Sequence, residues 1–270
     1  MNQRSLFVLV KYGKLDRLIS LLETGKLYLS SVETLRASGD KKQDNHQIDH
    51  LEGATRYFSK GPVDLTLTPT VGNGIPIKTK ALNLTYAVKY DLVPGNICSF
   101  YSVTDEDFNS GKFRPIDRKM VEFGSHAIII TNVGEFLQRI EKALPAPNWS
   151  GLKYGHVEYF DESDFVGDLD LFKKRSAYSY QQEFRVLIES NQLTPAMLDL
   201  GSLHDIAVVV SSDATLKLKL KYDSSLNGVR LDFNSKNVEA GNGGFKKKFL
   251  LYRLIMKFRD WILIVMSRKK

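Results

Sequence analysis

The residues with the clearest chemical potential are Gln181 and Glu183, which stand two apart in the segment YSYQQEFRV. On an extended strand, residues two apart point to the same face of the sheet. A Gln-x-Glu pair on one face suits ADP-ribosyl transfer, because the carboxylate binds a ribose hydroxyl and stabilises the positive charge that develops as the nicotinamide bond loosens. The pattern therefore predicts Glu183 as the electrostatic catalyst and Gln181 as the residue that orients the acceptor.

The same segment also has a purely structural interpretation. Glu183 could pair with Arg185 or Arg175 and stabilise the fold. In that case three aromatic residues of the neighbouring motifs would be core residues: Tyr28, Phe100 and Phe184. Both interpretations stay open at the level of the sequence, because a Gln-x-Glu pair is short enough to occur by chance.

Other catalytic and metal-binding patterns are weak in this sequence. It contains no GxGxxG or GxxxxGKS/T loop and no GxSxG or HExxH motif, so P-loop and serine-hydrolase chemistry lack support. His46 and His50 stand four apart beside Asp44, Asp49 and Glu52, which would suit a metal only if the segment were helical. No further ligands stand at a suitable spacing, so no metal is predicted.

The pattern of apolar residues predicts the elements that position these groups. Apolar residues at helical spacing predict a helix over Lys14–Glu23 that ends at Gly25, and Asn132 with Glu135 predicts the start of another. The polar stretch Ala37–Gly53 is predicted to be a long loop. Strands are predicted over Ser5–Val10, Lys26–Ser30, Tyr57–Phe58, Val63–Leu67, Ile77–Lys89, Ile97–Val103, Ser125–Thr131, Val157–Phe160, Glu183–Glu189, Ile206–Ser211 and Gly228–Phe233.

These elements predict an α+β fold: one mixed, mainly antiparallel β domain with few helices over residues 1–233, plus a C-terminal amphipathic helix. The stretch 234–244, rich in Gly, Asn and Ser, is predicted to be a flexible linker, and residues 245–270 form a basic amphipathic tail. The tail has nine cationic residues and one anionic residue, whereas the whole chain has a net charge of +7. The globular part is therefore nearly neutral.

A tail that interleaves Lys and Arg with Phe, Leu, Ile and Trp predicts docking on an anionic membrane surface. Charged residues within its apolar stretch disfavour a membrane span, so a helix lying in the membrane plane is predicted. The predicted membrane contacts are Lys246, Lys247, Lys248, Arg253, Lys257 and Trp261. A terminal helix packed on the body is the alternative, and the aliphatic content disfavours nucleic acid as a partner.

The cysteine content and the N-terminus predict the compartment. Cys98 is the only cysteine, so no internal disulfide can form. The apolar run near the N-terminus has five residues, which is too short for the core of a signal peptide. These features predict a cytoplasmic protein that is peripheral at the membrane.

Six short motifs follow one another within residues 5–190. They are Lys11-Tyr12, Gly25–Ser31 (GKLYLSS), Asp49–Gly53 (DHLEG), Ile97–Ser102 (ICSFYS), Gly124–Ala127 (GSHA), and Phe172-Lys173 followed by Tyr178–Arg185 (YSYQQEFR). In order and spacing they resemble a widespread family of uncharacterised bacterial and phage proteins, some of which are thought to be defence-associated. Gln181 stands where that family often has Glu.

The resemblance implies a compact α+β domain with an arrangement of motifs similar to ADP-ribosyltransferases. It implies NAD as the substrate, a protein acceptor, and a loop over Asp40–Glu52 that covers the pocket. The residues implied to bind NAD are Lys11, Tyr12, Tyr28 and Ser30. The first of these strands departs from the transferase pattern, since Lys and Tyr stand where such enzymes have Arg or His, and Lys contacts a phosphate only as a point charge.

Two functions are therefore predicted as alternatives. The first is an ADP-ribosyltransferase-like protein, related to phage defence and docked to the membrane by its tail. The second is a non-catalytic binding module that keeps the same scaffold and uses its loop and tail for partner recognition. Turnover of NAD, compared between the wild type and Glu183→Gln, separates the two.

Overall fold

The computed structural model describes residues 6–41, 49, 51–68, 75–89, 94–109, 112–144, 149–190, 193–223 and 228–232. The predicted linker 234–244, the predicted tail helix within 245–270, and the residues His46 and His50 lie outside this part of the chain. Among the described residues, no helix is both long enough and apolar enough to cross a membrane.

The described part of the chain has an α+β fold with mainly antiparallel strands, as predicted. The α-helices are α1 (Leu15–Thr24), α2 (Val32–Lys41), α3 (Val133–Ala143) and α4 (Ser212–Thr215). Short 3-10 helices span Asp105–Asp107, Arg118–Phe123 and Ser176–Gln181. The strands are β1 (Leu6–Gly13), β2 (Lys26–Ser31), β3 (Ala54–Lys60), β4 (Val63–Leu67), β5 (Ile77–Ala81), β6 (Leu84–Lys89), β7 (Asn96–Thr104), β8 (Phe108–Asn109), β9 (Lys112–Phe113), β10 (His126–Ile130), β11 (Trp149–His156), β12 (Glu158–Phe160), β13 (Val166–Asp168), β14 (Lys173–Arg175), β15 (Glu183–Ser190), β16 (Ala196–Asp199), β17 (Ala207–Ser211), β18 (Lys219–Asp223) and β19 (Gly228–Asp232).

An antiparallel sheet in the order β11-β15-β7-β1-β10-β17 forms the centre of the fold. One edge of β7 pairs with β15, and its other edge is shared by β1 and β2. β1 pairs with residues 101–104 of β7, whereas β2 pairs with residues 96–97 and then with β16. The two strands therefore diverge along the middle of β7.

Apolar side chains cover both faces of this sheet. On one face, Leu9, Phe100 and Phe184 pack with residues of α1 and α3. On the other face, Val10 and Tyr101 pack with Met120 and other apolar residues. Since neighbouring residues of a strand point to opposite faces, burial on both sides explains the continuous apolar runs of β1 and β10.

The predicted ends of two helices are confirmed. Gly25 ends α1 with a φ of 69°, and its N–H donates to the carbonyl oxygen of Leu21 at 2.9 Å. At the start of α3, the side chain of Asn132 accepts a hydrogen bond from the N–H of Glu135 at 3.1 Å. Both contacts are local along the chain, so the sequence contains the whole signal for them.

The prediction of a loop from Ala37 onward is wrong, because α2 continues to Lys41. The hydroxyl of Ser31 accepts a hydrogen bond from the N–H of Thr34 at 3.1 Å and so satisfies a donor at the start of this helix. Val32 is fully buried and anchors the first turn. Packing at its start therefore lets the helix extend into a polar stretch with weak helix propensity.

The prediction of one strand over Ile77–Lys89 is also wrong. The stretch forms two strands that separate at Leu82 and Asn83, since β5 pairs with β4 and β6 pairs with β3. β3 lies between β13 and β6 in a three-stranded sheet, and Tyr57 of β3 packs with Leu51 and Leu169. A small outlying sheet therefore carries the β4–β5 hairpin.

Candidate functional site

Gln181 and Glu183 lie at the junction between the 3-10 helix Ser176–Gln181 and β15. Gln182, between them, has a left-handed backbone with φ 39° and ψ 52°. Ser102 of β7 holds this turn, because its N–H and its hydroxyl donate to the carbonyl oxygen of Gln182 at 2.9 and 2.8 Å. The prediction that Gln181 lies on an extended strand with Glu183 is therefore wrong.

Lys174 nevertheless joins the two predicted catalytic side chains. It lies in the middle of β14, and its side chain is 2% exposed. Its Nζ donates to Oε1 of Gln181 at 2.7 Å and to Oε2 of Glu183 at 3.4 Å, and it lies 5.0 Å from the centre of the Tyr178 ring. Gln181 and Glu183 meet at one point, and a buried ammonium group occupies that point.

Arg185 lies at the centre of a buried ion-pair network. Its side chain is 2% exposed, and Nη1 and Nη2 donate to Oε1 and Oε2 of Glu52 at 2.7 and 2.9 Å. Nη2 also donates to Oε2 of Glu183 at 3.0 Å, and Nη1 donates to the carbonyl oxygen of Leu171. Within the described part of the chain, the buried Nε has no hydrogen-bond partner. Two carboxylates therefore neutralise this one guanidinium group.

A second ion pair lies beside the first and joins the partly buried Arg175 to the buried Asp49. Nε and the backbone N–H of Arg175 donate to the carboxylate of Asp49 at 2.8 and 3.1 Å. Nη1 of Arg175 donates to Glu162 at 2.9 Å, and Nη2 donates to the hydroxyl of Tyr178 at 3.2 Å. Asp49 is 2% exposed and also accepts the N–H of Leu51 at 3.0 Å. The arginine is thus fixed through several contacts at once.

The acidic motif Asp49–Gly53 is explained by these contacts. Asp49 binds Arg175 and Glu52 binds Arg185, so these two residues anchor the motif in the fold. The predicted covering loop lies mostly outside the described residues, at positions 42–48 and 50. Gly53 has a φ of 72°, and a Cβ at this position would lie 2.9 Å from a side-chain carbon of Arg36. Its backbone conformation and its close packing both favour glycine.

The network keeps Glu183 and Arg185 charged. Burial alone would raise the pKa of the Glu183 carboxyl, but the positive charges of Arg185 and Lys174 outweigh burial and lower that pKa to about 2. Burial alone would lower the pKa of the Arg185 guanidinium, but Glu183 and Glu52 raise it above its usual range. The hydroxyl of Tyr159 accepts the N–H of Glu183 at 2.9 Å, and burial raises the pKa of this hydroxyl.

Lys11 and Tyr12 are neighbours in β1, so their side chains point to opposite faces of the sheet. Val10 pairs with Tyr101 of β7, and Tyr101 pairs with Glu183 of β15. Residues paired in this way point to the same face. Glu183 therefore shares a face with Val10 and Tyr12, whereas Lys11 lies on the other face.

The contacts of these two residues agree with that placement. Nζ of Lys11 donates to the carbonyl oxygen of Ser99 at 3.2 Å and lies 5.2 Å from the centre of the Phe100 ring. The hydroxyl of Tyr12 lies 2.9 Å from Oγ1 of Thr215, and burial raises its pKa to about 12. Both polar ends thus bind groups of the chain itself.

Tyr28 and Ser30 lie on one face of β2 but at a distance from Glu183. Ser30 is opposite Ile97 of β7, and Ile97 is opposite Leu187 of β15. Leu187 is four residues from Glu183, which corresponds to roughly 13 Å along a strand. Tyr28 is 47% exposed, so the interpretation that made it a core residue is wrong.

The structure therefore brings Gln181 and Glu183 together, but it separates the four residues that the resemblance implies as binding NAD. Sequence reasoning missed Lys174, since the aromatic-Lys motif ended at Lys173. Of the two partners that it offered for Glu183, Arg185 and Arg175, the structure confirms Arg185, which lies two residues away on the same face of the strand. It missed Glu52, for which the local sequence holds no signal.

The arrangement has the chemistry of a structural ion-pair network. Two cations, Lys174 and Arg185, and two anions, Glu52 and Glu183, make it neutral. Among the residues that the structure describes, no group of three or more His, Cys, Asp or Glu could hold a metal ion.

Acid should weaken the fold through Glu183. Its pKa is lower in the folded state than the ordinary value of 4.5, so its stabilising contribution is present above that value and is lost as the pH falls toward about 2. We expect urea unfolding to show that the difference in stability between the wild type and Glu183→Gln narrows between about pH 5 and about pH 3. A difference that stays constant over this range would contradict an ionised, paired Glu183.

Loss of Arg175 should destabilise the protein strongly, because Asp49 would be left charged and buried. We expect Arg175→Met to lower the free energy of unfolding by roughly 3–5 kcal/mol. The matched control is Arg56→Met, because Nε of Arg56 lies 2.9 Å from Asp168 but both side chains are mostly exposed. That change should cost about 1 kcal/mol or less. Equal losses for the two variants in urea unfolding would show that burial of the pair is unimportant.

No family model, no curated protein and no solved structure matches this chain. The resemblance of its motifs to the bacterial and phage family therefore stays a prediction. A proposal for its function rests on the contacts and charges of its own residues.

Proposed function

We propose that this chain is a non-catalytic binding module that docks on an anionic membrane surface through its basic tail. The non-catalytic part of this proposal rests on the contacts of Glu183. Its carboxylate accepts hydrogen bonds from Arg185 at 3.0 Å and from Lys174 at 3.4 Å. Its side chain is 10% exposed. A carboxylate held in this way balances buried positive charge and so stabilises the fold.

Catalysis at Glu183 would require this network to open. A ribose hydroxyl could reach the carboxylate only by displacing Lys174 or Arg185, both of which are 2% exposed. Breaking a buried ion pair costs roughly 3–5 kcal/mol, which substrate binding would have to offset. Lys11 would also have to contact the substrate from the opposite face of the sheet. Both points favour binding without turnover.

The membrane half of the proposal rests on the sequence of the tail. Residues 245–270 carry nine cations and one anion among Phe, Leu, Ile and Trp residues. Each Lys or Arg close to an anionic leaflet contributes about 1 kcal/mol, and salt screens this attraction. The cytoplasmic leaflet is the anionic one, so the proposed location is the cytoplasmic side of a membrane.

An ADP-ribosyltransferase that uses NAD and a protein acceptor is the second candidate. It is favoured by one observation, the convergence of Gln181 and Glu183 on Lys174 with the carboxylate kept ionised. In that case the side chain of Lys174 would move aside when NAD binds. The two candidates differ in whether Glu183 acts on a substrate or only on the fold.

Purified protein should leave labelled NAD unchanged, and Glu183→Gln should do the same. The variant should instead lower the free energy of unfolding by roughly 3–5 kcal/mol, because it leaves excess positive charge in the buried network. Glu189→Gln is the matched control on the same strand, since Glu189 pairs with the mostly exposed Lys153, and it should cost about 1 kcal/mol or less. Turnover of NAD that Glu183→Gln abolishes and Glu189→Gln retains would establish the second candidate.

The full chain should bind phosphatidylcholine vesicles only when they contain phosphatidylserine. Replacing Lys246, Lys247 and Lys248 together by Gln should weaken binding by at least about tenfold in a sedimentation assay, since three charges near the leaflet are lost. Gln at three exposed lysines of the body is the control with the same change in charge: Lys142, Lys217 and Lys219. Equal weakening by both triple variants would contradict docking through the tail.

A further inference from the structure

The β4–β5 hairpin is amphipathic and carries no buried residue in its two strands. Its register places Leu65 opposite Thr79 and Leu67 opposite Ile77, so these residues share one face. Lys78 lies on the other face of β5, together with the ion pair between Lys80 and Asp64. One face of the hairpin is thus mainly apolar, and the other face carries the charged side chains.

The distal half of the hairpin is apolar and exposed. Leu67 and Ile77 form the last pair of the hairpin and are 56% and 62% exposed, and Ile75 beyond them is 85% exposed. The thirteen residues 65–77 contain no charged side chain. An exposed apolar group of this kind in an otherwise polar surface indicates a binding site.

Two lysines adjoin this apolar end. Lys78 and Lys80 follow it along β5 and are exposed, whereas Lys60 and Lys89 lie farther away, in β3 and β6. Residues 60–89 have four lysines and one Asp, for a net charge of +3, whereas the remainder of residues 1–244 has a net charge of −4. The hairpin and its base are therefore cationic, whereas the remainder of residues 1–244 is on balance acidic.

We propose that the β4–β5 hairpin is a second contact with an anionic lipid bilayer and inserts Leu67, Ile75 and Ile77 between the headgroups. The inference rests on the proposed membrane association and adds a contact made by described residues. Leu67, Ile75 and Ile77 leave water for the boundary between headgroups and acyl chains, which favours binding through burial of apolar area. Lys78 and Lys80 then lie at the level of the lipid phosphates.

The spacing of the hairpin supports this arrangement. Lys78 is one residue and Lys80 is three residues behind Ile77, which corresponds to roughly 3 and 10 Å along the strand. A lysine side chain can lie along an apolar surface and still keep its ammonium group among the headgroups. Charge complementarity favours an anionic bilayer over an uncharged apolar partner, since Lys78 adjoins the apolar end and residues 60–89 have a net charge of +3.

An environment-sensitive fluorophore can locate the contact directly in the full chain. The only native cysteine, Cys98, is buried, so a single reactive thiol can be introduced by Ile77→Cys. Leu82→Cys is the matched control, since Leu82 is 92% exposed but lies roughly 17 Å from position 77 along the hairpin. On addition of phosphatidylserine-containing vesicles, we expect a blue shift and brighter emission at position 77 and no change at position 82. No change at either position would overturn the proposal.

The Asp variants of the same two positions separate the hairpin from the tail. We expect Ile77→Asp to weaken vesicle binding about tenfold, because an apolar side chain that would enter the lipid becomes charged, and Leu82→Asp to leave it unchanged. If the triple tail variant weakens vesicle binding and Ile77→Asp does not, the hairpin contact is overturned and the tail contact stands. A fluorescence change at position 77 that persists in the triple tail variant would support the hairpin even if the tail contributes nothing. A change of oligomeric state by Ile77→Asp without lipid would show a protein interface and overturn the proposal.

Discussion

A guanidinium group buried beside the central sheet is the constraint on which the rest of the structure depends. Arg185 is 2% exposed, and burial of an unpaired charge would cost far more than a small domain can offset. Glu183 supplies one counter-ion from the same strand, and Glu52 supplies another from 133 residues earlier in the chain. With Lys174 also bound to Glu183, charges balance only when the segment of Glu52 comes together with β14 and β15. The network therefore ties this segment to the central sheet.

This arrangement also positions the outer part of the molecule. β3 begins at Ala54, directly after the motif in which Asp49 and Glu52 bind their arginines. β3 pairs with β13 and β6, and the chain leaves it to form β4 and β5. The buried ion pairs thus fix the base from which the β4–β5 hairpin projects. The motif Asp49–Gly53 thus connects the buried ion pairs to the strand that leads into the hairpin.

Local signals were enough to predict much of the fold and little of the site. Periodicity gave the bounds of β4, and the ends of α1 and α3 followed from Gly25 and Asn132. β11 was missed because Gly151 and Gly155 weaken its strand pattern. Within the site, Glu183 and Arg185 share a face for a local reason, so their pairing could be foreseen. The partner Glu52 could not, since no periodicity relates residues so far apart.

The distribution of charge supports the proposed binding to an anionic surface. Inside, Lys174 and Arg185 are matched by Glu183 and Glu52, so the buried network has no net charge to offer a ligand. Outside, the lysines of segment 60–89 and those of the tail exceed their neighbouring acids. The rest of the body is mildly acidic, and an anionic surface would repel it while attracting these two regions. These two regions are therefore the ones through which we propose that an anionic surface attracts the chain.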